Sequence, residues 1–262
     1  MKNIIKVTSI ALVLSFALFG LTNKAYAAKL TLYCSVEIDV CEMLEQAYEK
    51  ATGTKVAMTR ASSGETFAKI KAESSNPKGD VWFGGTGDPH LTAAQENLTE
   101  KYKSTHFNDL LPAAQNQAKN ADYKSVGIYV GALGFGYNKD LLAKKGLPAP
   151  KSWMDLTKPI YKGEIQVANP NSSGTAYTTL ATILQIFGDD KGWDYMKKLH
   201  LNINTYTKSG SAPIKATGRG ENLIGICFQH DGVKQTKKGF PVVTVSPEEG
   251  TGYEVGSMSI IA

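Results

Sequence analysis

Several short stretches of this sequence place residues that can hold a small polar molecule where an apolar run gives way to a helix start. Ser62-Ser63-Gly64-Glu65-Thr66 and Asn169-Pro170-Asn171-Ser172-Ser173-Gly174-Thr175 gather hydroxyls and unencumbered backbone N–H groups. Gly84-Gly85-Thr86-Gly87-Asp88-Pro89 makes a glycine-rich turn after Val81-Trp82-Phe83. The first N–H groups of a helix have no intrahelical partner and lie at the positive end of its dipole, so such points attract anions. His230-Asp231 follows the apolar run from Leu223 to Phe228, and Glu254 lies in Gly252-Tyr253-Glu254. A carboxylate beside an anion is unfavourable, whereas beside a hydroxyl it is a good acceptor. The candidate binding set read from these stretches is therefore Ser62, Ser63, Thr86, Asp88, Ser172, Ser173, Thr175, His230 and Asp231.

Each of these residues has an ordinary structural alternative. The serines and Thr175 can simply cap helices, Thr86 and Asp88 can shape a turn, and His230 with Asp231 can be a surface pair. Ser63, His230 and Asp231 could be imagined as a hydrolytic triad, but no G-x-S-x-G elbow is present, and adjacent side chains diverge on a strand. The sequence therefore reads as a binding protein and not as an enzyme. The glycine turn completes no G-x-G-x-x-G, so no dinucleotide is implied; neither a cofactor nor a metal is called for.

The elements that must carry these residues follow a β-α-β-α-β-α rhythm. Leu30 to Cys34 is a strand, and Val40, Met43, Leu44, Ala47 and Tyr48 form one face of a helix ending near Gly53. Lys55 to Thr59 is a second strand. A helix then opens at Ser62 or Ser63, with Glu65 or Thr66 answering across its first turn. After the strand Val81 to Phe83, Asp88 can cap a helix with Pro89 at its first position. The stretch from Val126 to Tyr137 carries glycine at 127, 131, 134 and 136 and suits a crossover between two lobes. Trp153 pins a short helix, Glu164 to Ala168 is a strand, and helices cover 176–186 and 192–199. A short helix starts at Ser209 to Pro213, and strands follow at 223–228, 242–245 and 255–261, with His230 and Asp231 expected at a strand-end rim. Alternation of this kind predicts an α/β fold of two lobes, each a mainly parallel sheet flanked by helices, with ligand loops facing one cleft.

Composition is that of a soluble globular protein, with 42% apolar and 20% charged residues. Residues 1–27 read as a secretion signal: Lys2 and Lys6, then the apolar run from Val7 to Phe19, then Ala25-Tyr26-Ala27 as the cleavage site. Without the leader's Lys2, Lys6 and Lys24 the formal charge falls from +5 to +2, which argues against a nucleic-acid partner. An exported chain meets an oxidising compartment. Cys34 and Cys41, seven residues apart, suit a local structural disulfide, while a redox pair would want C-x-x-C. Cys227 lies in an apolar run and is expected as a buried thiol.

The sequence resembles the secreted solute-binding proteins of ABC importers, in the ferric-iron-binding-like family and its sugar-phosphate branch. The resemblance rests on Ser62 to Thr66, Asp80 to His90, Trp153-Met154-Asp155-Leu156, Tyr161-Lys162-Gly163, Ser173-Gly174-Thr175-Ala176-Tyr177 and Gly252-Tyr253-Glu254-Val255-Gly256, and spans nearly all of residues 29–262. It implies the type II periplasmic binding protein fold. Lobe 1 is then expected at 28–128, a hinge at 129–137, lobe 2 at 138–245 and a return strand at 246–262. It implies a monomer in the periplasm that hands a small-molecule ligand to an inner-membrane permease and does no chemistry. Iron-binding members bring adjacent tyrosines to the metal where this chain has Phe228-Gln229-His230-Asp231. Ferric iron favours phenolate and carboxylate oxygen. A hexose phosphate is therefore expected ahead of ferric iron or a phosphonate, with His230, Asp231 and Glu254 on the sugar; a structural or adhesive secreted protein is the reading from another class. Family members usually continue beyond the Gly252–Gly256 strand through further helices, which implies that the sequence ending at Ala262 lacks them.

Overall fold

The computed structural model describes residues 29–262; the secretion-signal reading of residues 1–27 lies outside them. In chain order the strands are β1 (Lys29–Cys34), β2 (Lys55–Arg60), β3 (Val81–Phe83), β4 (Val126–Asn138), β5 (Ile165–Ala168), β6 (Ile203–Thr207), β7 (Ile224–Phe228), β8 (Val242–Val245) and β9 (Tyr253–Ile260). The α-helices are α1 (Ile38–Thr52), α2 (Ser63–Ala72), α3 (Gly87–Gln95), α4 (Pro112–Asn120), α5 (Lys139–Lys145), α6 (Gly174–Phe187), α7 (Asp189–His200), α8 (Ala212–Arg219) and α9 (Gln229–Lys237).

The strands run in the order β2-β1-β3-β9-β4-β7-β5-β6, with β8 also paired to β4. Strand β4 changes partners midway. Its residues 126–132 pair antiparallel with β9, and residues 133–138 pair antiparallel with β7 and β8. It therefore crosses from a first lobe built on β1, β2 and β3 to a second built on β5, β6 and β7. The outer strands of each lobe are parallel, as the alternation of strand and helix predicts. The strands nearest the crossover are antiparallel, so the sheets are mixed and not mainly parallel. The physical reason is the return of the chain: β9 must run back beside both β3 and β4.

The core divides accordingly. Successive side chains of a strand point to opposite faces. Leu32 and Cys34 of β1 join Cys41 and Val56 on one face of the first lobe. Tyr33 joins Ile70, Trp82 and Ala93 on the other. In the second lobe Leu133, Phe135, Trp153, Leu156, Ile183, Leu199 and Ile226 form one apolar cluster. Trp153 is fully buried at the head of a 3-10 turn, as expected of a pin.

Three local expectations need correction. The helix after β3 begins at Gly87 with Thr86 as its N-cap residue, so Pro89 stands third and Asp88 is inside the helix. The turn is tighter than its residues suggest because Gly84 and Gly85 both take positive φ. Helix α1 buries only Cys41, with Val40 and Leu44 half-buried, while Met43, Ala47 and Tyr48 are exposed; the helix lies over the β1–β2 edge along a narrow stripe. Finally, β7 does not end in a rim loop. Gln229, His230 and Asp231 are the first turn of α9.

Candidate functional site

A cleft of about 450 Å³ opens between the lobes. Helices α1, α2, α3, α6, α8 and α9 begin there. Their N-cap residues, Glu37, Ser62, Thr86, Ser173, Ser211 and Phe228, all line its wall. Each helix leaves its first N–H groups unpaired and contributes positive potential at that end. Six such ends around one cavity make a strongly anion-favouring environment. The first lobe supplies three and the second lobe three, so the field is assembled only when the lobes meet.

The lobes do meet. The Gly64 N–H donates to Ser172 O across the gap (3.1 Å), Ser62 Oγ to Lys208 O (3.3 Å), and Arg60 Nη2 to Ser209 Oγ (3.2 Å). Hydroxyls are held in place behind this contact. The Thr86 N–H donates to Ser63 Oγ, the Ala176 N–H to Ser173 Oγ, and Trp82 Nε1–H to Ser35 Oγ, which in turn bonds Thr66 Oγ1. The capping expectation for α2 is met by Glu65, whose Oε2 accepts the Ser62 N–H at 3.2 Å. Gly85 has φ +87° and abuts the Ser63 and Ser35 side chains, so only glycine fits there.

Two buried carboxyl groups share this wall, Asp231 in the first turn of α9 and Glu254 on β9. Asp231 is 6% exposed and Glu254 is 5% exposed. Burial raises the pKa of Asp231 to about 7, assisted by Glu37 and opposed by Lys215, Lys234 and Arg60. Burial also raises Glu254 well above the usual carboxylate range, with Asp231 and Asp88 adding to the effect. At neutral pH this end can therefore both donate and accept hydrogen bonds, which suits hydroxyl groups. His230 stacks on Phe228 at 5.7 Å between centroids and meets the Tyr129 ring edge-on at 6.3 Å. Burial lowers its pKa, so the imidazole is neutral. Tyr129 in turn is fixed to the glycine turn after β3, donating its OH to Gly85 O and accepting the Gly85 N–H. Thr86 Oγ1 and Glu254 Oε2, both buried on the wall, have no protein hydrogen-bond partner.

Of the ten residues singled out in the sequence, Ser62, Ser63, Thr86, Ser173, Thr175, His230, Asp231 and Glu254 line the cleft. Ser172 does not; its hydroxyl bonds Lys208 O and Asn169 O, and its carbonyl makes the lobe contact. Asp88 lies in a smaller depression of about 220 Å³ behind the Thr86–Gly174 contact, beside Phe67, Pro89 and Tyr177. Asp231 was expected at a rim and is instead deeply buried, because the first turn of α9 tucks it under the second lobe's β8 and α8. Sequence reasoning missed Ser35, Glu37, Arg60, Tyr129, Ser211 and Lys234. Ser35 and Glu37 could have been found, since they follow a strand end as the other candidates do. Tyr129 and Lys234 carry no local signal.

Cys34 and Cys41 are disulfide-bonded, with Cα atoms 6.0 Å apart, and Cys227 is a buried free thiol. Among the described residues no helix is long and apolar enough to cross a membrane, and no group of three or more His, Cys, Asp or Glu side chains is placed to hold a metal.

Comparison with known proteins agrees with this architecture. Residues 83–260 match the family model described as bacterial extracellular solute-binding protein. An uncharacterized protein of Haemophilus influenzae is 43% identical over 98% of this chain and 74% of its own length. The structure is similar to that of the periplasmic binding protein AfuA from Actinobacillus pleuropneumoniae, solved with exogenous fructose-6-phosphate bound, at 45% identity and a TM-score of 0.87 over 90% of this chain and 74% of that one. Iron-bound HitA from Pseudomonas aeruginosa shares the fold at 20% identity, with a TM-score of 0.72 over 89% of this chain and 75% of its own. The chain belongs to the bacterial extracellular solute-binding protein family, the non-catalytic periplasmic components that carry a small-molecule ligand to the membrane permease of an ABC importer.

Proposed function

We propose that this protein captures a small phosphorylated sugar, of the size of a hexose phosphate, in the interlobe cleft. The observation that carries this reading is the pairing of six converging helix N-termini with the buried, raised-pKa carboxyls of Asp231, in the first turn of α9, and Glu254 on the same wall. The first suits a phosphate, and the second suits neutral hydroxyls and disfavours a second anion. The likeness to a protein with fructose-6-phosphate bound supports it. Ser62, Ser63, Thr86, Ser173 and Thr175 face the phosphate, and His230, Asp231 and Glu254 the sugar. Residues 28–128 and 138–245 are taken as the closing bodies, joined through 129–137 and 246–262. The donor set does not suit ferric iron, because residues 228–231 offer no tyrosine where iron-binding members place a pair of them.

Calorimetric titration with glucose 6-phosphate, fructose 6-phosphate, free hexose, an alkylphosphonate and ferric citrate, each alone, tests the reading. Tight binding of a hexose phosphate is expected, weakened at least about a hundredfold in Asp231→Ala, where a buried hydrogen-bonding partner is removed. Tight ferric binding with a tyrosinate charge-transfer band and no response to sugar phosphates would overturn it.

A further inference from the structure

Closure brings one carboxylate of the first lobe against two ammonium groups of the second. Glu37 Oε2 lies 2.8 Å from Lys234 Nζ on α9, and Glu37 Oε1 lies 2.6 Å from Lys215 Nζ on α8. Lys234 also reaches Asp39 Oδ1 at 2.6 Å. The Glu37 side chain is only 11% exposed. Burial alone would raise its pKa, yet the two lysines, with help from Ser211, hold it at about 2. Ion pairs this sheltered are screened less by salt than exposed ones.

Glu37 is also unusually well fixed. The Cys34–Cys41 bond ties the end of β1 to the first turn of α1, and Ser35, Val36 and Glu37, inside that ring, all line the cleft. Arg60 Nε–H donates to Val36 O at 2.9 Å, which braces the same segment from β2. The ring thus presents Glu37 toward the opposite lobe with little freedom to swing away.

We infer that Glu37, held by the Cys34–Cys41 ring, is a positioning residue that latches the lobes shut through Lys215 and Lys234 and so sets how fast ligand leaves. The inference rests on capture of a hexose phosphate as proposed above. Contacts made only in the closed state stabilise that state alone, so they slow dissociation and leave encounter unchanged. Lys215 does not line the cleft, so its substitution reads the latch without altering a ligand contact.

The test is stopped-flow binding of fructose 6-phosphate to wild type, Glu37→Gln, Lys215→Gln, the double variant of those two, and Cys34→Ala/Cys41→Ala. Each charge variant is expected to raise koff about tenfold while kon stays within about twofold. The Glu37→Gln/Lys215→Gln double variant should be less impaired than the product of the singles, because both remove one interaction. The cysteine variant, or wild-type protein reduced after folding, should show the same faster release. Wild-type koff in Lys215→Gln, or fully multiplicative effects, would overturn the latch, and wild-type koff without the disulfide would overturn the role of the ring. If wild type does not bind fructose 6-phosphate, the proposed ligand fails; the latch is then judged from the distance between spin labels on the two lobes of ligand-free protein. A larger open fraction in Glu37→Gln supports it, and an unchanged distribution overturns it.

Discussion

At the scale of single residues, the cleft wall is notable for polar atoms kept from water without a protein partner. Thr86 is 1% exposed, and its Oγ1 makes no hydrogen bond. As the N-cap residue of α3 it also makes no side-chain cap, so its hydroxyl contributes nothing to the helix. A buried unpaired hydroxyl costs free energy, and a ligand oxygen would relieve that cost. Thr86→Val keeps the shape and deletes the hydroxyl. It is expected to leave the ligand-free melting temperature unchanged or slightly higher while weakening hexose phosphate binding by about tenfold, the worth of one hydrogen bond to a charged group. Calorimetry alongside thermal melting reads both; a fall in stability with unchanged affinity would mean the hydroxyl serves the fold.

At the scale of elements, the decisive arrangement is helix against helix start. Helix α6 opens at Gly174, and a β-carbon there would collide with the Thr86 side chain of the facing α3 cap. Gly174 therefore allows the two lobes to approach. Alanine at the first position of a helix is otherwise favourable. Gly174→Ala is thus expected to leave the isolated lobes folded and the ligand-free protein stable, yet to weaken ligand binding by about tenfold or more through overpacking at the closed contact. Small-angle scattering should show the variant staying open in hexose phosphate at a concentration that closes wild type. Compaction equal to wild type would remove the closure argument for this glycine.

At the scale of the whole molecule, buried titrating groups give stability two opposing dependences on pH. His90 is fully buried, stacked on Trp82 at 3.6 Å and bonded to Ser259 Oγ and Gly84 O. Burial lowers its pKa from 6.5 to about 3. The unfolded chain then takes up a proton first, and stability falls as pH drops from about 6.5 toward 3. Asp231 behaves in reverse. Its folded pKa of about 7 exceeds the unfolded 3.8, so its contribution is full below 3.8 and is lost as pH rises through 7. Between about pH 4 and 6.5 the two slopes oppose each other, each worth on the order of a few kcal/mol. Asp231→Asn should remove Asp231's share of the second slope and leave that of Glu254, whose pKa burial raises in the same direction. Denaturant melts of the ligand-free variant are expected to lose stability on acidification across this window more steeply than wild type; parallel profiles would exclude Asp231 as the compensating group.

What the sequence by itself determined is local. Apolar runs broken by Ser, Thr and Gly mark where β1, β2, β3 and β5 end and helices begin, because a strand's side-chain alternation and a helix's capping needs are both satisfied within a few neighbouring residues. That locality made Ser62, Ser63, Thr86, Ser173 and Thr175 legible, along with the two-lobed α/β class, the glycine-laced crossover in β4 and the Cys34–Cys41 pair. Only the tertiary structure decided that α9 starts at Gln229 and buries Asp231, that Ser172 and Asp88 fall outside the main cleft, and that Glu37 meets Lys215 and Lys234. Each of those facts depends on how elements distant in sequence pack, within the second lobe for α9 and between the lobes for Glu37. Glu37 and Lys234 are 197 residues apart in the chain, and no pattern of neighbours encodes a contact at that distance. The pKa values of Asp231 and Glu254 likewise follow from burial between elements, since desolvation is a property of the closed cleft and not of the residues that line it.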